Sequence, residues 1–247
     1  MMHYPASCVW LPCGSAAKGV RSRLFVFPHA GAGAAQFRRW RAFVPEDVEV
    51  CPVQLPGRET RITEEPLTTA ADLIRRLPEA LMPFLDRDYS VFGHSLGAQV
   101  AFAFACAVEA AGYRLPTVVA VSASSPPFDP PSHPDHQHRS DAELIPYVKG
   151  LGAAFIGDGD LQSLVLPLLR ADFGLSDSLR ENGRHRITRP IIAFAGDRDT
   201  SVTAATMTRW DLATSSHFEL HAVCGDHFFV RDDDTARQIL RTILESH

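Results

Sequence analysis

One serine in this chain has the surroundings of a nucleophile. Ser95 lies in V-F-G-H-S-L-G-A, residues 91 to 98, where Gly93-x-Ser95-x-Gly97 follows a short apolar run and opens a longer one. A serine hydroxyl is a weak nucleophile at its own pKa and needs a neighbouring base. His227, in C-G-D-H-F-F, can serve as that base, and Asp199, in A-G-D-R-D-T-S-V, can orient it. His227 would take the Ser95 proton and later return it to the leaving group, while Asp199 fixes the imidazole tautomer and stabilises its charged form. Where G-x-S-x-G forms a sharp strand-to-helix turn, the expected chain order is serine, acid, histidine, as here.

Each assignment has a competitor. Glycines beside a serine also make an ordinary loop, and only a strand before and a helix after the motif raise it above that. Asp197 lies two residues from Asp199 and is the second choice for the acid; Asp226 adjoins His227 and reads as a turn residue. His94 is expected to pack beside the turn, and His217 and His221 to sit on or beside an alternating strand. His133, His136 and His138 spell H-x-x-H-x-H in a Pro-rich loop, where no acidic or cysteine ligands support a metal site.

An oxyanion needs two amide donors. Leu96, directly after the serine, offers one. The loop F-P-H-A-G-A-G-A-A, residues 27 to 35, offers the other at Ala30, with Gly31 and Gly33 permitting tight passage and His29 orienting the loop. The same loop fails as a phosphate cradle, because G-K-[ST] and G-x-G-x-x-G are both absent.

These residues need a scaffold that gathers loop ends. Apolar runs suited to strands covered on both faces occur at Arg23–Pro28, Val48–Gln54, Tyr89–Phe92, Thr117–Ser122, Pro190–Ala195 and Phe218–Val223. A further short strand is expected near Val9–Leu11. Helical spacing appears in Phe37, Trp40 and Val44, and again in Leu73, Leu77 and Leu81, where Pro78 is expected to kink or split the helix. Residues 96 to 111 are apolar almost all round, as in a buried helix, and Asp232–Asp234 suit the start of a final one. The alternation predicts an α/β fold, a mostly parallel sheet with helices on both faces.

From Ser125 to about Arg186 no strand is predicted. A Pro- and His-rich loop leads to Ser140, which begins an S-x-x-E capping box with Glu143, and a second helix carries Leu161, Leu164, Val165, Leu168 and Leu169. We therefore expect one domain spanning residues 1–247, with a helical lid inserted at about 125–186. The Leu residues of the lid, with Phe128 and Phe155, either line an apolar chamber or pack the lid on the core.

Bulk properties fit a globular enzyme. The chain has 247 residues, a net charge of −5, 45% hydrophobic residues and 21% charged ones. That balance gives no basic footprint for nucleic acid, and no apolar run is long enough for a membrane span. The first residues lack a secretory signal pattern, so the protein is read as cytoplasmic. Five scattered cysteines, at 8, 13, 51, 106 and 224, imply no disulfide framework, and Cys8 and Cys13 no metal site.

With those pieces placed, the sequence resembles the type II (editing) thioesterases of polyketide and nonribosomal peptide synthesis, members of the α/β-hydrolase superfamily. The resemblance runs from about Arg23 to Ile243. It rests on F-P-H-A-G at 27–31, Q-L-P-G-R at 54–58, G-H-S-L-G-A at 93–98, L-R-A-D-F at 169–173, G-D-R-D at 196–199 and G-D-H-F-F at 225–229. It implies serine-dependent hydrolysis of acyl thioesters on the phosphopantetheine arm of acyl or peptidyl carrier proteins, clearing stalled groups from a synthase of the kind used in antibiotic biosynthesis. It further implies Ser95, Asp199 and His227 as the triad, Ala30 and Leu96 as oxyanion donors, and Asp172 as a tie between lid and core. A monomer without metal or organic cofactor is expected. Ala32, Leu96, Asp177 and Leu179 depart from the residues usual in the family. Competing readings are an enzyme that releases finished chains or acts on acyl-CoA, an acyltransferase, and a non-catalytic carrier-protein binder.

Overall fold

The structure, a computed structural model, describes residues 9–13, 19–130, 138–150, 160–181 and 185–246. Its strands are β1 (Ser22–Phe27), β2 (Val48–Pro52), β3 (Asp88–His94), β4 (Val119–Ser122), β5 (Ile191–Gly196) and β6 (Phe218–Val223). Its helices are α1 (Ala70–Leu81), α2 (Leu96–Ala110), α3 (Asp141–Gly150), α4 (Asp160–Glu181), α5 (Ala204–Thr208) and α6 (Asp233–Glu245). The strands form one sheet in the order β2-β1-β3-β4-β5-β6, every neighbouring pair parallel.

Alternate strand residues point to opposite faces, so a sheet covered on both sides must be apolar at every position. In β1, Phe25 and Phe27 face α1, α2 and α4 and join Val91, Val119, Val121 and Ile191 there. Leu24 and Val26 face the other way and pack with Phe92, Ile192, Phe194 and the buried side of α6. The helices follow local rules. Thr69 caps α1 by accepting from the Asp72 N–H at 3.2 Å, and Asp232 caps α6 by accepting from the Thr235 N–H at 2.9 Å.

The chain passes from β1 to β2 on one side and returns to β3 on the other. The loops after β1 and β3 therefore leave the sheet side by side, at the switch point where open α/β sheets build their sites. The loops after β5 and β6 end at the same edge, Gly196 standing in register with Val223.

Strand ends differ from the sequence expectation by two residues at most, with Phe218–Val223 matching at both ends, and four features differ more. Val9–Leu11 is not a strand; Trp10 and Leu11 instead plug the core, and the Trp10 carbonyl accepts from the Gln54 N–H at 2.8 Å. Ala34–Phe43 winds as a tighter 3-10 segment, with Phe37 and Trp40 buried and Val44 outside its end. Pro78 lies within α1 without splitting it: the helix runs to Leu81 before a 3-10 turn at Met82–Phe84. The capping box at Ser140 closes from one side, Glu143 accepting from the Ser140 N–H at 3.0 Å and from its hydroxyl at 2.6 Å.

Between β4 and β5 the described residues hold α3 and α4 and no strand. Leu166, Leu169, Asp172, Leu175 and Leu179 recur at helical spacing along the buried side of α4. Leu175 and Leu179 join the main core, Leu166 and Leu169 pack with Leu144 and Val148 of α3 and with Phe228, and Phe128 packs against the main core. The expected Leu and Phe lining of an acyl chamber is thus mostly packing. The side chains of Leu161 and Leu164, and Phe155, lie outside the described residues.

Candidate active site

At the end of β3 the backbone turns sharply into α2. Ser95 has φ 55° and ψ −119°, a conformation that side-chain-bearing residues rarely adopt. Gly93 and Gly97 make the turn feasible. A Cβ on Gly93 would stand 2.0 Å from the Gly97 carbonyl oxygen, and one on Gly97 would stand 1.9 Å from the Phe27 carbonyl oxygen. Absent side chains let β3, α2 and the end of β1 touch backbone to backbone. The Ser95 N–H donates to the Ser122 carbonyl at 2.8 Å, fastening the turn to β4.

His227 reaches Ser95 from the loop after β6. Its Nε2 lies 3.2 Å from Ser95 Oγ, and its Nδ1 lies 2.8 Å from Asp199 Oδ2. The second Asp199 oxygen accepts from the Ser201 N–H at 2.9 Å, the Ser201 hydroxyl at 2.6 Å and the Val202 N–H at 3.0 Å. Burial alone would raise the Asp199 pKa; the hydrogen bonds from His227, Ser201 and Val202 outweigh it, so the carboxyl titrates below its ordinary value. Asp197 instead accepts from the Gly225 N–H at 2.8 Å, and Asp226 from the Phe228 N–H at 2.9 Å, a turn role. Geometry separates the three acids: Asp199 alone of them meets His227 Nδ1.

Two further histidines stand behind this array. His94 Nε2 lies 2.8 Å from the His227 carbonyl oxygen, to which it donates, and its Nδ1 lies 2.8 Å from the Ser122 hydroxyl. His29 Nδ1 donates to the Ala30 carbonyl at 2.8 Å, and its ring meets Phe228 edge to face at 4.8 Å. Burial drives both rings neutral: the His29 pKa falls to about 3, and that of His94 falls well below its ordinary value.

Ala30 and Leu96 line the cavity that Ser95 and His227 open into. Among the described residues their N–H groups meet no protein acceptor, whereas the flanking amides are engaged: Gly31 N–H donates to Asp172 Oδ2 at 2.7 Å, and Ala32 N–H to the His29 carbonyl at 3.1 Å. Gly31 has φ 75°, the one left-handed residue of this loop, so Ala32 stands there without strain. Asp172 also receives both Nη groups of Arg58, at 2.8 and 2.7 Å, with both side chains buried. The lid helix thus grips the P-G-R segment and the Ala30 loop through one carboxylate.

The cavity holds about 120 Å³, and its walls carry Gln99, Ser124, Ser125, Ser176, Asp177 and Arg180 beside the reactive residues. It is small, and those polar groups alternate with Leu96, Tyr147, Phe173 and Val202, so the chamber is mixed where an apolar one was expected. For scale, an engineered apolar cavity of about 150 Å³ takes up benzene.

Other candidates lie elsewhere. His217 and His221 flank Glu219 at the surface, 2.8 and 3.0 Å away. His133, His136 and Cys8 lie outside the described residues, and the described ones contain no metal-binding group of His, Cys, Asp or Glu. Cys51 is buried, and burial raises the Cys106 thiol to about 12. Sequence reading missed Ser201, which bridges Asp199 to His227 Nδ1 at 3.1 Å, and Gln99 in the cavity wall. The D-x-S spacing at 199–201, typical of an Asp-led turn, was the signal for the first; nothing local marks the second.

Known proteins share this fold. A family profile described as a thioesterase domain matches residues 22–246. The gramicidin S biosynthesis protein GrsT of Aneurinibacillus migulanus is 32% identical, over 90% of this chain and 88% of its own. The structure of RedJ, a thioesterase from the prodiginine pathway of Streptomyces coelicolor, superimposes with a TM-score of 0.85 at 29% identity, covering 98% of this chain and 100% of that one. The type II thioesterase BorB from the borrelidin cluster gives 0.83 at 30%, covering 95% of each chain.

Proposed function

The chain belongs to the thioesterase domain family, and from that premise we propose that it hydrolyses short acyl thioesters on the phosphopantetheine arm of carrier proteins, clearing stalled groups from a polyketide or nonribosomal peptide synthase. The carrying observation is the hydrogen-bonded line Ser95–His227–Asp199 opening into a cavity of about 120 Å³. On this reading residues 1–247 are one domain, α3 and α4 form its lid, and the protein works as a cytoplasmic monomer without metal or organic cofactor. No helix among the described residues is long and apolar enough to cross a membrane.

The proposed steps follow from the atoms in place. Ser95 Oγ attacks the thioester carbonyl as His227 Nε2 takes its proton, and Asp199 steadies the imidazolium through Nδ1. Negative charge on the carbonyl oxygen falls toward the Ala30 and Leu96 amides, the latter at the positive end of α2. The C–S bond breaks, His227 protonates the departing pantetheine thiol, and water activated by the same ring releases the acid. The positive φ at Ser95 holds Oγ out of the helix, toward both substrate and base.

Cavity size supports editing over release of a finished chain. A space on the scale of benzene suits an acetyl, propionyl or butanoyl group better than a full polyketide or peptide. Turnover of acetyl- and butanoyl-carrier protein against the same carrier bearing a full-length chain tests this. Short groups are expected to be hydrolysed at least tenfold more efficiently; preference for the long chain would overturn the editing reading.

A further inference from the structure

Beside the cavity at Ser95 lies a second, larger one of about 240 Å³, walled by Ile74, Phe102, Ala103, Cys106, Ala107 and Leu179 and reaching the surface at Ile74 and His185. It runs along the same side of α2, and its walls are almost wholly apolar. Among the described residues Gln99 alone borders both spaces. Residues 95, 99, 103 and 107 succeed one another at helical spacing, so a chain leaving Ser95 along α2 meets Gln99 first and Ala103 and Ala107 next.

Gln99 does not hang loosely in the passage. It is buried, and its amide is strung between two elements: the Ser176 hydroxyl of α4 donates to Oε1 at 2.8 Å, and Nε2 donates to the Ser124 hydroxyl beyond β4 at 3.2 Å. Swinging the amide aside would break both bonds and strand buried polar atoms, which holds the partition closed.

We propose that Gln99 sets the acyl-length limit of this enzyme, and that the apolar compartment behind it is a latent site for the outer methylenes of a medium-length, unbranched acyl chain. The occupant follows from continuity with the Ser95 cavity and from lining: such a chain is apolar, narrow and already tethered at Ser95. The inference rests on the thioesterase reading above. With Gln99 in place the chain stops at the first cavity; with it withdrawn the two spaces join.

The test is the ratio of kcat/KM for octanoyl to that for acetyl N-acetylcysteamine thioesters. Each buried methylene is worth about fourfold in binding, so two entering methylenes already exceed tenfold. Gln99→Ala is expected to raise the ratio at least tenfold, and Gln99→Leu, which keeps the partition filled, to leave it near wild type. Adding Ala107→Trp to Gln99→Ala refills the compartment and is expected to cancel the gain. Should Gln99→Ala fail to fold, Gln99→Ser, which retains a hydroxyl for Ser124 or Ser176, takes its place. An unchanged ratio in the opened variant, or a gain that survives Ala107→Trp, overturns the proposal. A wild-type enzyme that already prefers octanoyl overturns the gate while leaving the hydrolase intact. Wild-type protein inert toward every thioester overturns the functional reading itself, and the gate with it.

Discussion

Two regions meet over Ser95 and are held by opposite means. The turn beneath it is fixed by backbone: Gly93 and Gly97 allow main chains to touch, and the Ser95 amide is tied to Ser122. Helix α4 above it is fixed by side chains: Asp172 to Arg58 and Gly31, Ser176 to Gln99, and Arg180 to the Ser125 hydroxyl at 3.0 Å. A backbone-built turn has little freedom to vary, because adding one carbon makes a clash. A side-chain tether can be exchanged one residue at a time while the turn stays put. On the proposed function, chemistry belongs to the first region and substrate choice to the contact between the two, where Ser176 of α4 holds Gln99 of α2.

The sharpest separation of the two comes from Ser95→Ala. Turnover is expected to fall roughly 10⁵- to 10⁶-fold while the melting temperature stays near wild type. Fluorophosphonate labelling of wild-type Ser95, lost in the variant, reads the same point; residual turnover close to wild type would remove Ser95 from the chemistry.

Asp172→Ala should do the reverse. It leaves a buried Arg58 unpaired and the Gly31 amide without its acceptor, at a cost of about 3–5 kcal/mol. Thermal unfolding is expected to drop by roughly 10 °C. The folded fraction should still label at Ser95, since the turn does not depend on this pair. Loss of labelling in folded protein would show that the two regions are not separable.

A smaller effect comes from acid. His29 and His94 both titrate below their ordinary value when folded, so the unfolded chain binds protons that the folded chain refuses. For His29 this stability is complete above about pH 6.5 and falls as pH is lowered toward about 3, by roughly 2 kcal/mol at pH 5, and His94 adds in the same direction. Both rings brace the backbone-held region, so His29→Gln should flatten the slope of melting temperature between pH 7 and pH 5. An equal slope in that variant would assign the acid sensitivity elsewhere.

Much of this was legible in one dimension. Six strands, the buried α2 and the helical insertion follow from runs and spacings a few residues long. Ser95 and His227 were identifiable for the same reason, since a glycine-flanked serine between strand and helix is a local pattern. The acid was readable as a first choice, Asp199, with Asp197 second, because the two share the same composition and turn chemistry; which one faces His227 depends on a contact 28 residues away. Val9–Leu11 misled because apolar residues that plug a core look like a short strand. Phe37 and Trp40 marked a buried stripe but not how tightly the segment winds.

The sequence by itself determined the strand–turn–helix around Ser95, the candidate base, the order of the loops that carry the candidate triad and the thioesterase likeness. All of these depend on near neighbours along the chain and on where glycine is required. Only the tertiary structure decided that Asp199 faces the imidazole, that Asp172 holds both Arg58 and the Ala30 loop, and that the lid's leucines pack while Gln99 parts two cavities. Those facts join residues as far apart as Gly31 and Asp172, 141 positions distant. The spacing of residues along a helix or strand carries no information about partners that the fold brings together from so far.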